Sequence, residues 1–203
     1  MKIEQQRNEE EINYQSNILK EEDKNGGLDE AICSKKIEQQ ALHDFLTNLP
    51  NRRYLDRKLN EMLTKTDQSN KVALLFIDLN NFKQINDTFG HPSGDHVIKI
   101  IARRLEVCIR ENDFICRYGG DEFIIILENI QNREQVNQII LQIKNTLKRP
   151  IKLEKESVEI TGSIGLSLYP DQGQDKETLI KIADQKMYHE KRKENNTCTS
   201  AVL

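Results

Sequence analysis

Two glycines followed by two acids, near the middle of the chain, offer the first candidate chemistry. Gly119 and Gly120 precede Asp121 and Glu122, and apolar segments lie on both sides. Paired glycines between apolar segments indicate the tip of a β-hairpin, and a backbone without Cβ atoms lets a phosphate or a base approach closely. A solvated turn of small and polar residues explains the same four residues equally well.

Asp78 is the second candidate, because it ends an apolar run that predicts a strand buried on both faces over residues 71–78. The carboxyl end of a strand often carries ligand-binding groups, although an acid there also commonly caps the next helix. If the hairpin pairs beside this strand, Asp78 and Asp121 meet at one sheet edge. Two such carboxylates can hold Mg²⁺ together with substrate phosphates, which suits two-metal attack of a hydroxyl group on a phosphoryl group.

Four polar residues in the next stretch of chain match the chemistry of a nucleotide. Lys83 can neutralise phosphate charge, and Asn86 carries donor and acceptor atoms for a base edge. Asp95 is acceptor-only when ionised, which suits the N1–H and N2–H₂ donors of guanine. Loop packing explains His91 equally well, and ordinary helix polarity is an alternative for Asn86.

Two further charged groups have open interpretations. Arg110 stands three residues before Asp113, a spacing that is common in surface ion pairs of small energetic value. The basic run over residues 191–193 indicates either a solvated helix face or a phosphate clamp.

Composition narrows the class of protein. The 203 residues carry a formal net charge of −3, whereas proteins that bind DNA or RNA usually show a strong basic excess. The sequence has no apolar stretch near the roughly 20 residues that span a bilayer, its polar N-terminus is unlike a secretory signal, and its four cysteines lack metal-ligand spacing. We therefore expect a cytoplasmic protein with no membrane segment and no nucleic-acid polymer as partner.

The pattern of apolar residues divides the chain into a polar segment over residues 1–40, a compact domain over 41–196 and a flexible tail over 197–203. The first segment carries a weak apolar stripe that fits a helical stalk or a frayed, solvated helix. In the domain we predict helices over residues 54–63, 81–89, 93–109, 136–147 and 176–193, and strands over 71–78, 114–117, 123–127 and 158–169. This order is compatible with an α/β (α+β) fold with a ferredoxin-like central sheet flanked by helices.

Five runs, in order and at matching spacing, resemble the GGDEF family of diguanylate cyclases over about residues 38–193. They lie at residues 43–53, 76–87, 90–95, 119–123 and 163–184. The first resembles D-x-L-T-G-L-x-N-R with Asn48 in place of glycine, and the second resembles D-x-D-x-F-K-x-x-N-D with Asn80 in place of the second aspartate.

The resemblance implies a polymerase-palm-like or adenylyl-cyclase-like fold with a divalent-metal site. Asp78, the Leu79 carbonyl and Asp121 would hold two Mg²⁺ ions per active site, with Mn²⁺ as an alternative ion. Asp121 would also help to deprotonate the attacking 3′-hydroxyl group, Glu122 would support the site, and Lys83 would stabilise phosphate charge.

The resemblance also implies how the substrate, GTP, is bound. Asn86 and Asp95 would read guanine, and Lys191 would stabilise phosphate charge. The full set of implied substrate-binding residues is Phe82, Asn86, His91, Asp95, Gly119, Gly120 and Lys191.

The implied reaction condenses two GTP molecules into cyclic di-GMP and two pyrophosphates. Because one domain of this family binds one GTP, two protomers must face each other about a two-fold axis, and we expect a homodimer. A paired stalk would raise the effective concentration of the two domains, and an upstream sensor domain or receptor is an expected partner.

Arg110 and Asp113 occupy the place of the family's product-inhibition motif, R-x-x-D, so the resemblance implies an inhibitory site for cyclic di-GMP with forked contacts from Arg110. By contrast, Asn195 stands where an arginine often helps to hold phosphate. This departure keeps an alternative open, a catalytically weak domain that binds GTP or cyclic di-GMP as a sensor or dimerising module.

Overall fold

The computed structural model describes residues 41–65, 71–154 and 156–199, with side chains up to Lys193 in the last helix. The predicted stalk over residues 1–40 lies outside the described residues. The described helices are α1 (Arg52–Lys65), α2 (Phe82–Phe89), α3 (His91–Val107), α4 (Arg133–Leu147) and α5 (Lys176–Thr199). The described strands are β1 (Val72–Leu79), β2 (Phe114–Gly119), β3 (Glu122–Leu127), β4 (Ile151–Lys152), β5 (Ser157–Val158) and β6 (Gly162–Tyr169).

Four strands form an antiparallel sheet in the order β2-β3-β1-β6. Every residue of β1 is buried, because successive side chains of a strand point to opposite faces and both faces are covered. Alternate β1 residues join a core with α2, α3 and α4 on one face, and the others join a core with α1 and α5 on the opposite face. The predicted ferredoxin-like α+β fold is confirmed.

Several local predictions were wrong, among them one strand and the start of one helix. The strand predicted over residues 158–169 is two strands, since β5 pairs with β4 in a separate two-stranded sheet. The helix expected to open at Ser93 or Gly94 begins at His91. Gly90, with φ of 82°, turns the chain between α2 and α3, and Pro92 is tolerated in a first helical turn, where its missing N–H is not needed.

Helix α5 lies unusually close to the sheet at one glycine. A Cβ atom on Gly165 would lie 1.8 Å from the carbonyl oxygen of Ala183, so the absence of a side chain lets the helix backbone approach β6. The helix extends past its predicted end near residue 193, to Thr199, through a stretch that contains neither glycine nor proline to stop it. This contact between Gly165 and Ala183 sets the direction in which α5 runs toward the end of β1.

Among the described helices, none is both long and apolar enough to cross a membrane. The predicted domain limits at residues 41, 196 and 197 stay predictions.

Candidate active site

Three acids converge at one end of the central strand. Asp78 stands opposite Glu122 in the antiparallel pairing of β1 and β3. The N–H of Leu79 donates to the main-chain carbonyl of Asp121 over 3.2 Å. We name Asp78, Asp121 and Glu122 the acidic edge.

The acidic edge concentrates negative charge in a partly buried place. Burial and then the Asp78 carboxylate raise the pKa of Asp121, and burial, Asp78, Asp121 and Asp184 raise that of Glu122. Lys191 reaches into this cluster from α5, with 2.5 Å between its Nζ and Oδ1 of Asp78. Burial and the neighbouring carboxylates together disfavour the ionised forms of Asp121 and Glu122, and an additional positive charge at this edge would stabilise them.

The donor set fits a hard divalent ion. Within the described residues, no group of three or more histidine, cysteine, aspartate or glutamate side chains is arranged to hold a metal by itself. Asp78, Asp121 and the Leu79 carbonyl offer oxygen donors for part of a coordination shell. Mg²⁺ is usually bound in this way, through one or two carboxylates, with water and substrate phosphates as the remaining ligands.

The turn of the hairpin has only two residues, Gly120 and Asp121, instead of the longer loop predicted over residues 118–122. Gly120 has φ of 52°, a left-handed conformation that favours glycine. A Cβ atom on Gly119 would meet no atom of the described residues within 4 Å. The fold therefore leaves open space beside Gly119, where a ligand can approach the backbone.

Arg117 anchors this hairpin, a role that the sequence analysis missed. Its Nη1 donates to both carboxylate oxygens of Asp44, at 3.0 and 3.1 Å. Its Nε and Nη2 donate to the carbonyl of Gly120, at 3.0 and 2.8 Å. Asp44 belongs to the first of the five runs and Arg117 stands two residues before the fourth, but a separation of 73 residues gives no reason to pair them.

The residues predicted to bind guanine lie where α2 meets α3. A Cβ atom on Gly94 would lie 1.8 Å from Oδ1 of Asn86 and 3.2 Å from the ring of Phe82. Gly94 thus makes room for both side chains. His91 and Asp95 are exposed in the first turns of α3, and Lys83 is exposed on α2.

Residues 41–197 match the family model described as the GGDEF domain of diguanylate cyclases. The chain belongs to the GGDEF family. It is 37% identical over 169 residues to the bifunctional diguanylate cyclase/cyclic di-GMP phosphodiesterase MucR of Pseudomonas aeruginosa, an alignment that covers 82% of this chain and 24% of MucR. The chain spans 20–36% of the length of the first curated relatives that it matches.

Solved GGDEF domains have the same architecture. The GGDEF domain of TpbB from Pseudomonas aeruginosa is 37% identical with a TM-score of 0.72, over 74% of this chain and 89% of that one. The GGDEF domain of DgcB from Caulobacter crescentus, solved in complex with cyclic di-GMP, is 30% identical with a TM-score of 0.69, over 75% of this chain and 91% of that one. The family inferred from the motifs is therefore confirmed.

Asn80 stands where the family motif has its second aspartate, and its side chain connects the end of β1 to the start of β6. Its Nδ2 donates to Oγ1 of Thr161 at 2.9 Å, and its Oδ1 accepts from Oγ of Ser163 at 2.8 Å. The side chain is buried, and both ends of the amide are used. This departure links the end of β1 to the start of β6, directly beside Asp78.

The predicted inhibitory pair of the GGDEF domain sits on a tight turn before β2. Oδ2 of Asp113 accepts from the main-chain N–H of Arg110 at 3.0 Å, and Oδ1 accepts from the N–H of Glu128 at 3.3 Å. The guanidinium of Arg110 is exposed. It donates to the side-chain amide oxygen of Gln135 when that oxygen faces Arg110. Asp113 therefore shapes the turn, and Arg110 presents its side chain beside α4. The side chain of Asn195 lies outside the described residues.

Proposed function

We propose that this GGDEF domain is a diguanylate cyclase that condenses two GTP molecules into cyclic di-GMP and two pyrophosphates in the cytoplasm. The acidic edge carries the proposal, because a sheet end that gathers Asp78, Asp121 and Glu122 and raises the pKa of two of them suits a metal-assisted phosphoryl transfer. The name of TpbB as a diguanylate cyclase supports the same activity.

Asp78, Asp121 and the carbonyl of Leu79 would hold two Mg²⁺ ions, with Mn²⁺ as an alternative. When bound, the ions would offset charge on the reacting phosphate and favour the ionised 3′-hydroxyl group. The raised pKa of Asp121 makes its carboxylate a better base for the 3′-hydroxyl proton. Glu122, next to it, supports the electrostatics of the edge.

The nucleotide would lie between the hairpin and the α2–α3 junction. Asn86 and Asp95 would pair with the guanine edge, with Phe82 and His91 beside them, and the backbone of Gly119 and Gly120 would approach the phosphates. Lys83 and Lys191 supply positive charge for the triphosphate, and Lys191 already lies at the acidic edge through its contact with Asp78.

Turnover would need two copies of the domain. One acidic edge holds one GTP, and each 3′-oxygen attacks the α-phosphorus of the other GTP, so the two sites must face each other in a homodimer. Residues 1–40, or an upstream sensor, would control how often the two domains meet.

Incubation of the purified protein with GTP and Mg²⁺, followed by chromatography of the nucleotides, tests this function. We expect cyclic di-GMP and pyrophosphate, and neither when a chelator replaces Mg²⁺. Absence of both products at protein concentrations that allow dimers would contradict the proposal. If the protein binds GTP or cyclic di-GMP without turnover, the sensor alternative, which Asn195 favours, takes its place.

We also propose that Arg110 and Asp113 form a product-inhibition site. Arg110 is exposed on a turn that Asp113 fixes, and its guanidinium can exchange the neutral amide of Gln135 for a forked contact with a phosphate or guanine. Cyclic di-GMP added to the assay should slow the wild type and leave Arg110→Ala active. Arg103→Ala, which removes another exposed arginine from α3, is the matched control. Equal inhibition of the wild type and Arg110→Ala would show that this assignment is wrong.

A further inference from the structure

Strand β6 lies at an edge of the sheet, and side chains occupy its outward backbone groups. The N–H of Ile164 donates to Glu190, and the N–H of Leu168 donates to Oε1 of Gln172 at 3.0 Å. The carbonyl of Leu166 accepts from Nζ of Lys186 at 2.7 Å. An unpaired strand edge otherwise exposes such groups, so side chains on or just before α5 complete the hydrogen bonding of β6.

Glu190 makes the most connected of these contacts. One of its carboxylate oxygens accepts from Nζ of Lys144, and the other accepts from the N–H of Ile164. Its side chain is 28% exposed, so solvent only partly screens the ion pair with Lys144. A single carboxylate thereby joins α4, β6 and α5. We name Glu190, Lys144 and Ile164 the clamp.

The clamp lies next to the acidic edge along two separate paths. Lys191, the residue after Glu190, contacts Asp78 through its Nζ. Ser163, the residue before Ile164, stands opposite Asp78 in the pairing of β1 and β6. Glu190 therefore holds the backbone of α5 at the position from which Lys191 reaches Asp78. It also ties α5 to β6, the strand that pairs with β1 at Asp78.

We propose that Glu190 is a positioning residue for Lys191 in the binding of the GTP triphosphate. The inference rests on the proposed function, because Lys191 acts there on the phosphates. A lysine side chain is long and flexible, so ordering its backbone lowers the entropic cost of each contact that its ammonium makes.

Binding of a GTP analogue tests the proposal without turnover. The analogue carries a methylene group between the α- and β-phosphates, so pyrophosphate cannot leave, and calorimetry in the presence of Mg²⁺ gives its Kd. We expect Glu190→Ala to weaken binding about tenfold, as is typical when a supporting group is removed. Glu190→Gln keeps an acceptor for Ile164 but loses the charge that faces Lys144, and should give a smaller loss of affinity.

Lys186→Ala is the matched control, because Lys186 binds the same strand edge one helical turn earlier. Its Kd should stay within about twofold of the wild-type value. An equal loss of affinity in Lys186→Ala and Glu190→Ala would mean that general docking of α5 is responsible, and would overturn the proposal. Glu190→Gln provides the same comparison if Glu190→Ala does not fold.

A double mutant separates positioning from any direct role. Lys191→Ala should weaken analogue binding, and Glu190→Ala should add nothing in the Lys191→Ala background, because Glu190 acts through Lys191. Additive losses would contradict the proposal. Weak binding by Lys191→Ala with wild-type binding by Glu190→Ala would refute the clamp and leave the proposed function intact. Wild-type binding by Lys191→Ala would refute both the phosphate role of Lys191 and the clamp.

Discussion

The acidic edge and the clamp are neighbours, joined through Lys191 and Ser163, but balance their charges in opposite ways. In the clamp, each oxygen of Glu190 has a donor, one from Lys144 and one from the backbone of Ile164. In the acidic edge, burial and then the Asp78 carboxylate raise the pKa of Asp121 and that of Glu122, and Lys191 offsets only part of this effect.

This difference indicates that the charges of the clamp are satisfied within the chain, whereas those of the acidic edge need a ligand. Charges that are satisfied within the chain stabilise the fold, whereas like charges held together are retained for function at the expense of stability. The acidic edge can be held in this unfavourable arrangement because paired strands and α5 surround it. Substitutions at the acidic edge should therefore act mainly on activity, and substitutions that break the satisfied contacts around it should also lower stability.

The largest expected effect is on activity, from Asp121→Asn. A metal site contributes several kcal/mol to the transition state, so the rate of cyclic di-GMP formation should fall by roughly 1,000-fold or more. Asp171→Asn, which changes a half-exposed acid near the opposite end of β1, is the control and should keep the wild-type rate. Activity of Asp121→Asn within tenfold of wild type would remove Asp121 from the site.

Two glycines offer a direct contrast between scaffold and site. Gly165→Ala places a methyl group 1.8 Å from the Ala183 carbonyl oxygen, and should lower the free energy of unfolding by about 3 kcal/mol. The methyl group added by Gly119→Ala meets open space among the described residues. The free energy of unfolding should therefore stay within about 0.5 kcal/mol of the wild-type value, while the cyclase activity falls. Chemical denaturation and the cyclase assay measure the two effects. A large loss of stability in Gly119→Ala would mean that the fold, and not a ligand, requires this glycine.

Arg117→Ala should destabilise the domain by about 2 kcal/mol, because it removes charged hydrogen bonds to Asp44 and leaves that carboxylate partly buried. Arg117→Lys keeps the charge but lacks the fork that joins Asp44 to Gly120, and should recover less than half of the loss. Thermal unfolding of the two variants checks this order. Full recovery by lysine would show that charge alone anchors the hairpin.

The smallest expected effect is a gain in stability from Glu122→Gln, measured with a chelator present. Like charges opposite each other in a sheet cost about 0.5 kcal/mol, and Glu122 faces Asp78. Because the folded pKa of Glu122 is raised, its ionisation destabilises the wild type as pH rises through that value. The gain should therefore be present at pH 7 and absent below pH 4.5, the ordinary pKa of a glutamate. A gain that does not change with pH would rule out charge repulsion as its cause.

Local patterns were enough to predict most elements and the convergence of the acids. The apolar run of β1 signals a central strand, and paired glycines signal the hairpin, so the pairing of β1 with β3 brings Asp78 to Glu122. The predicted start of α3 at residue 93 is two residues late, because Pro92 fits a first helical turn. The pair β4–β5 has only two residues in each strand, too few to show alternation.

The supporting contacts were not predictable in the same way. Asp44 and Arg117 are separated by 73 residues, and Lys144 and Glu190 by 46. A charged side chain on a helix or in a loop has the same local pattern whether it is solvated or paired. Only the packing of α5 on Gly165 and β6 gives Glu190 its partners, and no spacing rule in the sequence encodes that packing.

The most direct test of the central claim counts both products in one reaction. Wild-type protein and Asp121→Asn are incubated side by side with GTP and Mg²⁺ over a series of protein concentrations, and cyclic di-GMP and pyrophosphate are quantified together. We predict two pyrophosphates for each cyclic di-GMP from the wild type, a specific activity that rises as dimers form, and no product from the variant. Absence of cyclic di-GMP from the wild type at every concentration, or equal yields from the two proteins, would contradict the account.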